Sequence, residues 1–243
     1  MKKWLKRMLI LLALFVITGL AFFYYWSQQT YSPSETLDEL VDTTSLQYDE
    51  DWLLFEPTSK EARKGIIIYP GAKVEPEAYS YYGQTISNEG YFVAIPKIRL
   101  NFPILETNKA ADLVAQYPAI DNWFIGGHSL GGVAAAKFAD ENPDIITGIF
   151  FLGSYPANSN DFSDTSVPML SIYAENDGLT TIEKINETQD LLSKEAKLVE
   201  IEGGNHAQFG IYGPQKGDEQ ASISVSEQQD IISEVLLSWL DDH

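Results

Sequence analysis

Apolar positions fall into two regimes along the chain. From Met8 to Trp26, 19 consecutive residues carry no charge and nearly all are apolar. Beyond them, apolar residues come in short runs separated by polar or amphipathic stretches. A helix rises about 1.5 Å per residue and a hydrocarbon core is about 30 Å thick, so the first run is just long enough to span a bilayer. Its far end, Phe22-Phe23-Tyr24-Tyr25-Trp26, sets aromatic rings where an interfacial belt lies. The later runs, at 52–55, 65–69, 91–95, 122–125, 145–152, 168–173 and 197–201, are rich in Ile, Val, Phe and Tyr and are flanked by turn residues, which predicts buried strands. Helix-length segments lie between them at 76–88, 105–116, 130–142 and 181–194. A last one at 226–240 places Ile231, Ile232, Val235, Leu236 and Trp239 on one face, with Ser226 and Gln229 as a capping box.

Strands alternating with helices predict an α/β fold, with a mostly parallel central sheet covered by helices on both faces. No insertion is long enough for a separate lid. The segment 27–45 is polar and acidic, lacks a sustained apolar period, and reads as a stem. The predicted organisation is a cytoplasmic tip at 1–7, a transmembrane signal-anchor helix at 8–26, a polar stem at 27–45 and one catalytic-size domain at 46–243.

Charge orients this arrangement. Lys2, Lys3, Lys6 and Arg7 precede the span, whereas the next cation after it is Lys60. The positive-inside rule puts the N-terminus in the cytoplasm and the domain outside, in a single pass through the cell membrane. A cleavable signal peptide fits less well, because a small-x-small cleavage site is missing and the apolar run exceeds the 7–15 residues of an ordinary h-region. The whole chain has net charge −19, and without the four N-terminal cations 12 basic residues face 35 acidic ones, a net of −23. Such a domain is repelled by anionic headgroups and is a poor non-specific nucleic-acid binder. With no cysteine there is no disulfide framework, thiolate zinc site or thiol nucleophile. Only His128, His206 and His243 are available for imidazole chemistry, too few to favour a metal cluster.

The most informative segment is Asn122-Trp-Phe-Ile-Gly-Gly-His-Ser-Leu-Gly-Gly-Val-Ala-Ala-Ala136. It holds Gly127-x-Ser129-x-Gly131 between a strand candidate and a small-residue helix candidate. Chance alone supplies that spacing in roughly one chain of this length in ten, so the setting carries the weight. A serine on a sharp strand-to-helix turn has strained backbone angles, and side chains two positions either side would collide. Its hydroxyl sits at a helix N-terminus, where N–H groups can stabilise an oxyanion.

Serine needs a base, and the base an orienting acid. His128 adjoins Ser129 within the turn, so its side chain is expected to point away from the hydroxyl, either packing in the turn or supporting the groups around the site. His243 ends the chain. His206, in Gly203-Gly204-Asn205-His206 after the run at 197–201, is therefore the candidate base. For the acid, the run at 168–173 leads into Ala174-Glu175-Asn176-Asp177-Gly178; Asp177 is preferred by position, with Glu175 its rival. Asn158–Asp164 offers oxygen ligands without the spacing of a calcium loop and reads as a solvated turn. Phe102, Tyr155, Phe162, Phe209 and Tyr212 fall in loops able to border an acyl pocket or to serve as packing. The segment 210–220 is a connector, a buttress for the histidine loop or a part of the pocket wall.

The order Ser129, Asp177, His206, together with Ile68-Tyr69-Pro70-Gly71-Ala72, Gly127-His128-Ser129-Leu130-Gly131 and Gly204-Asn205-His206, resembles the α/β-hydrolase family, and more narrowly its compact, lidless, dienelactone-hydrolase-like branch. The resemblance spans about residues 65–240. It implies an oxyanion hole made by the N–H of Leu130, after the nucleophile, and a second N–H from the early loop, assigned to Ala72 since Pro70 has none. Many relatives have His-Gly where this chain has Pro70-Gly71. Dienelactone hydrolases proper use a cysteine, so their substrate does not transfer. The expected function is a membrane-anchored, extracytoplasmic serine hydrolase acting on a small-molecule carboxylic ester through an acyl-enzyme, without cofactor or metal. The same triad also serves acyltransferases, thioesterases and peptidases, and a non-catalytic binding protein on this scaffold is the alternative from another class.

Overall fold

The computed structural model describes residues 3–49, 51–57 and 62–243; Met1 and Lys2 of the basic tip, and Lys60, lie outside them. A helix α1 (Lys3–Ser27) leads the chain, and its apolar side chains are exposed, from Met8 through Trp26. Among the described residues it is the one helix long and apolar enough to cross a membrane. The domain follows as an eight-stranded sheet: β1 (Gln47–Asp49), β2 (Trp52–Phe55), β3 (Lys64–Tyr69), β4 (Phe92–Pro96), β5 (Asn122–His128), β6 (Ile146–Leu152), β7 (Met169–Ala174) and β8 (Lys197–Ile201). Their order is β1-β2-β4-β3-β5-β6-β7-β8, antiparallel at the first two pairings and parallel from β4 onward. This is the mostly parallel α/β sheet that the alternation of apolar runs and helices predicts, in the form that the resemblance to α/β-hydrolases implies.

Alternate residues of the inner strands point to opposite faces, and each face has its own core. On one face Ile66, Ile68, Val93, Phe124 and Phe150 meet α3 (Ser80–Asn88) and α7 (Val225–Asp241) through Tyr82, Ile86, Ile232, Leu236 and Trp239. On the other, Ile67, Tyr69, Trp123, Ile125 and Phe151 meet α4 (Lys109–Gln116) and α5 (Leu130–Glu141) through Leu113 and the alanines Ala134, Ala135 and Ala136. Small side chains let α5 lie close over the sheet. A short α6 (Ile182–Thr188) precedes β8.

Several elements differ from the sequence expectation. The helix expected at 105–116 begins at Lys109, after a 3₁₀ turn at Pro103–Leu105, and the one expected at 181–194 is α6 followed by a 3₁₀ turn at Gln189–Leu191. The true N-cap of α7 is Ser224, whose Oγ accepts from the Glu227 N–H at 3.2 Å, so the cap lies two residues before Ser226. Gln229 is instead buried and donates to Tyr82 and Gln208. The segment 27–45 is folded onto the domain rather than free: it contains α2 (Glu35–Leu40), and Leu37 and Val41 pack against Ile211. Two buried apolar residues four apart suffice for one helical turn but are too few to show as a period.

The parallel strands all end on one side. At β3 the connections turn in opposite directions, towards β4 and towards β5, and the crevice outside the carboxyl ends of such strands is where ligands bind in open α/β sheets. The loop after β3 and the turn after β5 meet there.

Candidate active site

Ser129 occupies the junction of β5 and α5 with φ 52° and ψ −123°, a conformation rarely adopted by any residue with a side chain. The glycines around it are required by contact. A Cβ on Gly127 would lie 2.7 Å from the Gly131 carbonyl carbon, and one on Gly131 would press into the Tyr69 and Pro70 carbonyl oxygens. The turn closes tightly against the β3 loop, with the Ser129 N–H donating to the Leu152 carbonyl at 3.1 Å and Ser154 Oγ donating to the Ser129 carbonyl at 2.6 Å. The Ser129 side chain is partly exposed and does not cap its own helix.

Asp177 and His206 are brought together from the loops after β7 and β8. His206 Nδ1 donates to Asp177 Oδ2 at 2.7 Å, and both side chains are fully buried. The other carboxylate oxygen accepts from the Leu179 and Thr180 N–H groups at 2.8 and 2.6 Å, which fixes the acid in place. In the tautomer whose Nδ1–H faces the carboxylate, Nε2 is left as the acceptor. That Nε2 is buried and has no hydrogen-bond partner. The structure thus joins the acid to the histidine and leaves the serine to histidine hydrogen bond unmade. Glu175, the rival acid, binds the Gly203 N–H at 2.7 Å instead, holding the chain that leads to His206.

Of the two expectations for His128, packing in the turn and support of its neighbours, the structure shows contacts of the second kind. Its ring lies 4.5 Å from that of His206, and its Nδ1 is 2.9 Å from Tyr79 Oη. Tyr79 Oη also accepts from the Gly71 N–H at 2.9 Å, so its single proton goes to His128 Nδ1. Burial, and then the neighbouring His206 imidazole, push the His128 pKa well below the usual histidine value, so His128 is neutral. One hydroxyl therefore ties the early loop to the residue before Ser129. Neither the Ala72 N–H nor the Leu130 N–H takes part in a hydrogen bond among the described residues. Both belong to segments that the Gly131 contacts press together.

The segment 210–220 holds a residue that the sequence does not single out. Asp218 Oδ1 accepts from the Gly178, His206 and Glu219 N–H groups at 3.1, 3.2 and 2.9 Å, and Oδ2 from the Ala207 N–H at 2.8 Å. One carboxylate thus clamps the acid loop to the histidine loop, the buttress role. Gln228 of α7 does similar work from behind, accepting from the Asn205 N–H at 3.0 Å and donating to its carbonyl at 2.9 Å.

The candidate aromatics separate. Phe209 and Tyr212 are buried beside His128, with ring centroids 5.7 and 6.2 Å away. Phe162 belongs to the core under α5, Tyr155 meets Lys184, and Phe102 stacks on α1. In the 158–164 turn, Asn160 donates to Asp140 and Asp161 accepts from the Ser163 N–H.

The description "alpha/beta hydrolase family" belongs to the family model that matches residues 65–230, and the chain is a member of that family. No curated protein matches the sequence. Among solved structures, an α/β-hydrolase enzyme from a sediment metagenome of the Mar Chica lagoon, Morocco, superposes with TM-score 0.60 at 17% identity, over 81% of this chain and 98% of that one. A predicted CIB-like hydrolase from Thermoplasma acidophilum gives 0.59 at 18%, over 80% and 99%. A structure from work on the metagenome-derived lipolytic enzymes LipS and LipT gives 0.57 at 15%, over 82% and 100%. At these identities the likeness is one of fold.

Proposed function

We propose that the chain is a membrane-anchored, extracytoplasmic serine hydrolase of carboxylic esters. The observation that carries this reading is Ser129 in its strained turn at the carboxyl end of β5, on the same side of the sheet as a buried Asp177–His206 pair. Ser129 Oγ attacks the ester carbonyl while His206 Nε2 takes its proton. Asp177 holds the imidazole in the productive tautomer and stabilises its positive charge. The oxyanion of the tetrahedral intermediate is received by the Leu130 and Ala72 N–H groups, the first helped by the N-terminus of α5. The imidazolium then protonates the leaving alcohol, leaving an acyl-Ser129 that water, deprotonated by the same histidine, hydrolyses. The serine to histidine hydrogen bond forms when substrate binds, since catalytic hydrogen bonds are often completed only in the complex. The anchor reading is supported by α1, whose apolar surface is exposed along its length.

Fluorophosphonate labelling of the full chain in detergent tests the assignment. Wild type is expected to label and Ser129→Ala not to; equal labelling of the two removes Ser129 from the mechanism.

A further inference from the structure

The end of α1 and the chain after it are fastened to the loops that carry the site. Trp26 and Phe23 pack on Phe102, with ring centroids 5.5 and 5.9 Å apart. Asn101 Nδ2 donates to the Ser27 carbonyl at 2.9 Å, and Lys73 Nζ sits 4.5 Å over the Trp26 ring. The Tyr31 N–H donates to the Lys73 carbonyl at 2.6 Å and its carbonyl accepts from the Glu75 N–H at 3.1 Å, a short parallel bridge along the loop after β3. Thr30 and Ser32 hydroxyls both donate to the Glu75 carboxylate, at 2.6 and 2.9 Å. On the histidine side, the Ser34 N–H donates to the Ile211 carbonyl at 2.9 Å and the Tyr31 ring packs against Tyr212 at 5.6 Å.

Among the described residues, four that are not glycine have positive φ. One is Ser129; the other three, Lys73, Leu100 and Asn101, all lie at this junction. Such backbone is held only where its surroundings over-determine it. Length makes the same point. A free 19-residue coil at 27–45 would separate its ends by about 25 Å on average. Here Lys73 touches the last aromatic ring of the span and Ala72 is the next residue. An extended lysine side chain and one peptide unit leave Ala72 within roughly 15 Å of that ring. Outside α1, few large apolar side chains are exposed among the described residues, and two of them, Ile104 and Leu105, follow Phe102 on this loop.

We infer that the anchor and its strap, without touching the reacting groups, hold the mouth of the crevice at the bilayer surface, so that the substrate is an acylglycerol-like lipid ester drawn from the adjoining leaflet. This rests on the reading of the chain as an anchored ester hydrolase. The domain's −23 disfavours anionic headgroups, which points to a neutral or zwitterionic lipid.

The test uses the full chain in phosphatidylcholine vesicles, with a fluorogenic diacylglycerol in the bilayer and a water-soluble short-chain ester outside. A variant carrying 20 Gly/Ser residues between Gln29 and Thr30 together with Trp26→Ala unfastens the anchor. Its turnover of the soluble ester is expected to stay within twofold of wild type while turnover of the bilayer ester falls at least tenfold. An unchanged bilayer rate overturns the inference, as does a wild type that cleaves the soluble ester alone. If wild type cleaves neither ester and takes no fluorophosphonate, the hydrolase reading fails first. If wild type washes from vesicles at alkaline pH, the anchor fails. A second measurement decides the matter should the variant misfold and lose both activities. The chain has no cysteine, so Leu105→Cys or Asp121→Cys, at opposite ends of the sheet, takes a single fluorophore. Spin-labelled lipid is expected to quench the Leu105 site several-fold more than the Asp121 site; equal quenching overturns the inference.

Discussion

Replacing Asp218 with alanine removes the carboxylate that accepts from Gly178, His206 and Ala207, the three N–H groups that lie outside its own turn. A hydrogen bond to a charged acceptor contributes about 1.5–3 kcal/mol, and three in full would amount to about 4.5–9 kcal/mol. Asp218 is partly exposed, so water takes up some of the freed donors, and about 2–4 kcal/mol is the reasonable loss. For a domain of this size that lowers the apparent Tm by about 4–16 °C. The loss falls on the loops that hold Asp177 and His206, so fluorophosphonate labelling slows by tenfold or more even well below the melting range. Asp218→Asn keeps one acceptor oxygen and is expected to fall between. Thermal melts followed by circular dichroism, with labelling rates at 20 °C below each Tm, provide the comparison. If Asp218→Ala melts within 2 °C of wild type and labels at the same rate, the clamp has no role in positioning the histidine.

Other consequences follow from single residues. Gly131→Ala drives a methyl group into the Tyr69 and Pro70 carbonyls, so a loss of about 3 kcal/mol and of all labelling is expected; a melt and a labelling assay check both. Ser129→Gly relieves the positive φ and is expected to raise stability by about 1 kcal/mol while abolishing turnover; a lower Tm than wild type would contradict the strain. His128 has a folded-state pKa below the unfolded value of about 6.5. Below that pH the unfolded chain binds a proton that the folded chain does not, and stability falls with decreasing pH by up to about 1.4 kcal/mol per unit. His128→Gln is expected to flatten that slope between pH 6.5 and 5 in denaturant titrations, and an unchanged slope would place the proton elsewhere.

Most strands are legible because each inner strand is a continuous apolar run, buried on both faces. β1 escapes notice because Gln47, Tyr48 and Asp49 are all exposed at the sheet edge and carry no pattern. The candidate nucleophile, base and acid are legible for a local reason: each follows an apolar run at a turn, in the chain order that the family resemblance implies. Tyr79, Asp218 and Gln228 are not, because their work is done by hydrogen bonds to segments 8 to 49 residues away. A tyrosine in a helix-length segment and an aspartate among 35 carboxylates carry no mark of those partners. The strap at 27–45 hides likewise, since much of its attachment is backbone bonding at Tyr31 and Ser34, to which side-chain periodicity is blind.

The acyl-enzyme is the centre of the account, and it can be caught directly. The full chain is mixed with excess p-nitrophenyl ester, quenched in acid within the first turnover, digested and mapped by mass spectrometry. An acyl group on the peptide containing Ser129, with a p-nitrophenol burst approaching one per chain and both absent in Ser129→Ala, is the predicted result. Steady turnover with the acyl group on another residue, or an unchanged burst in Ser129→Ala, would contradict it.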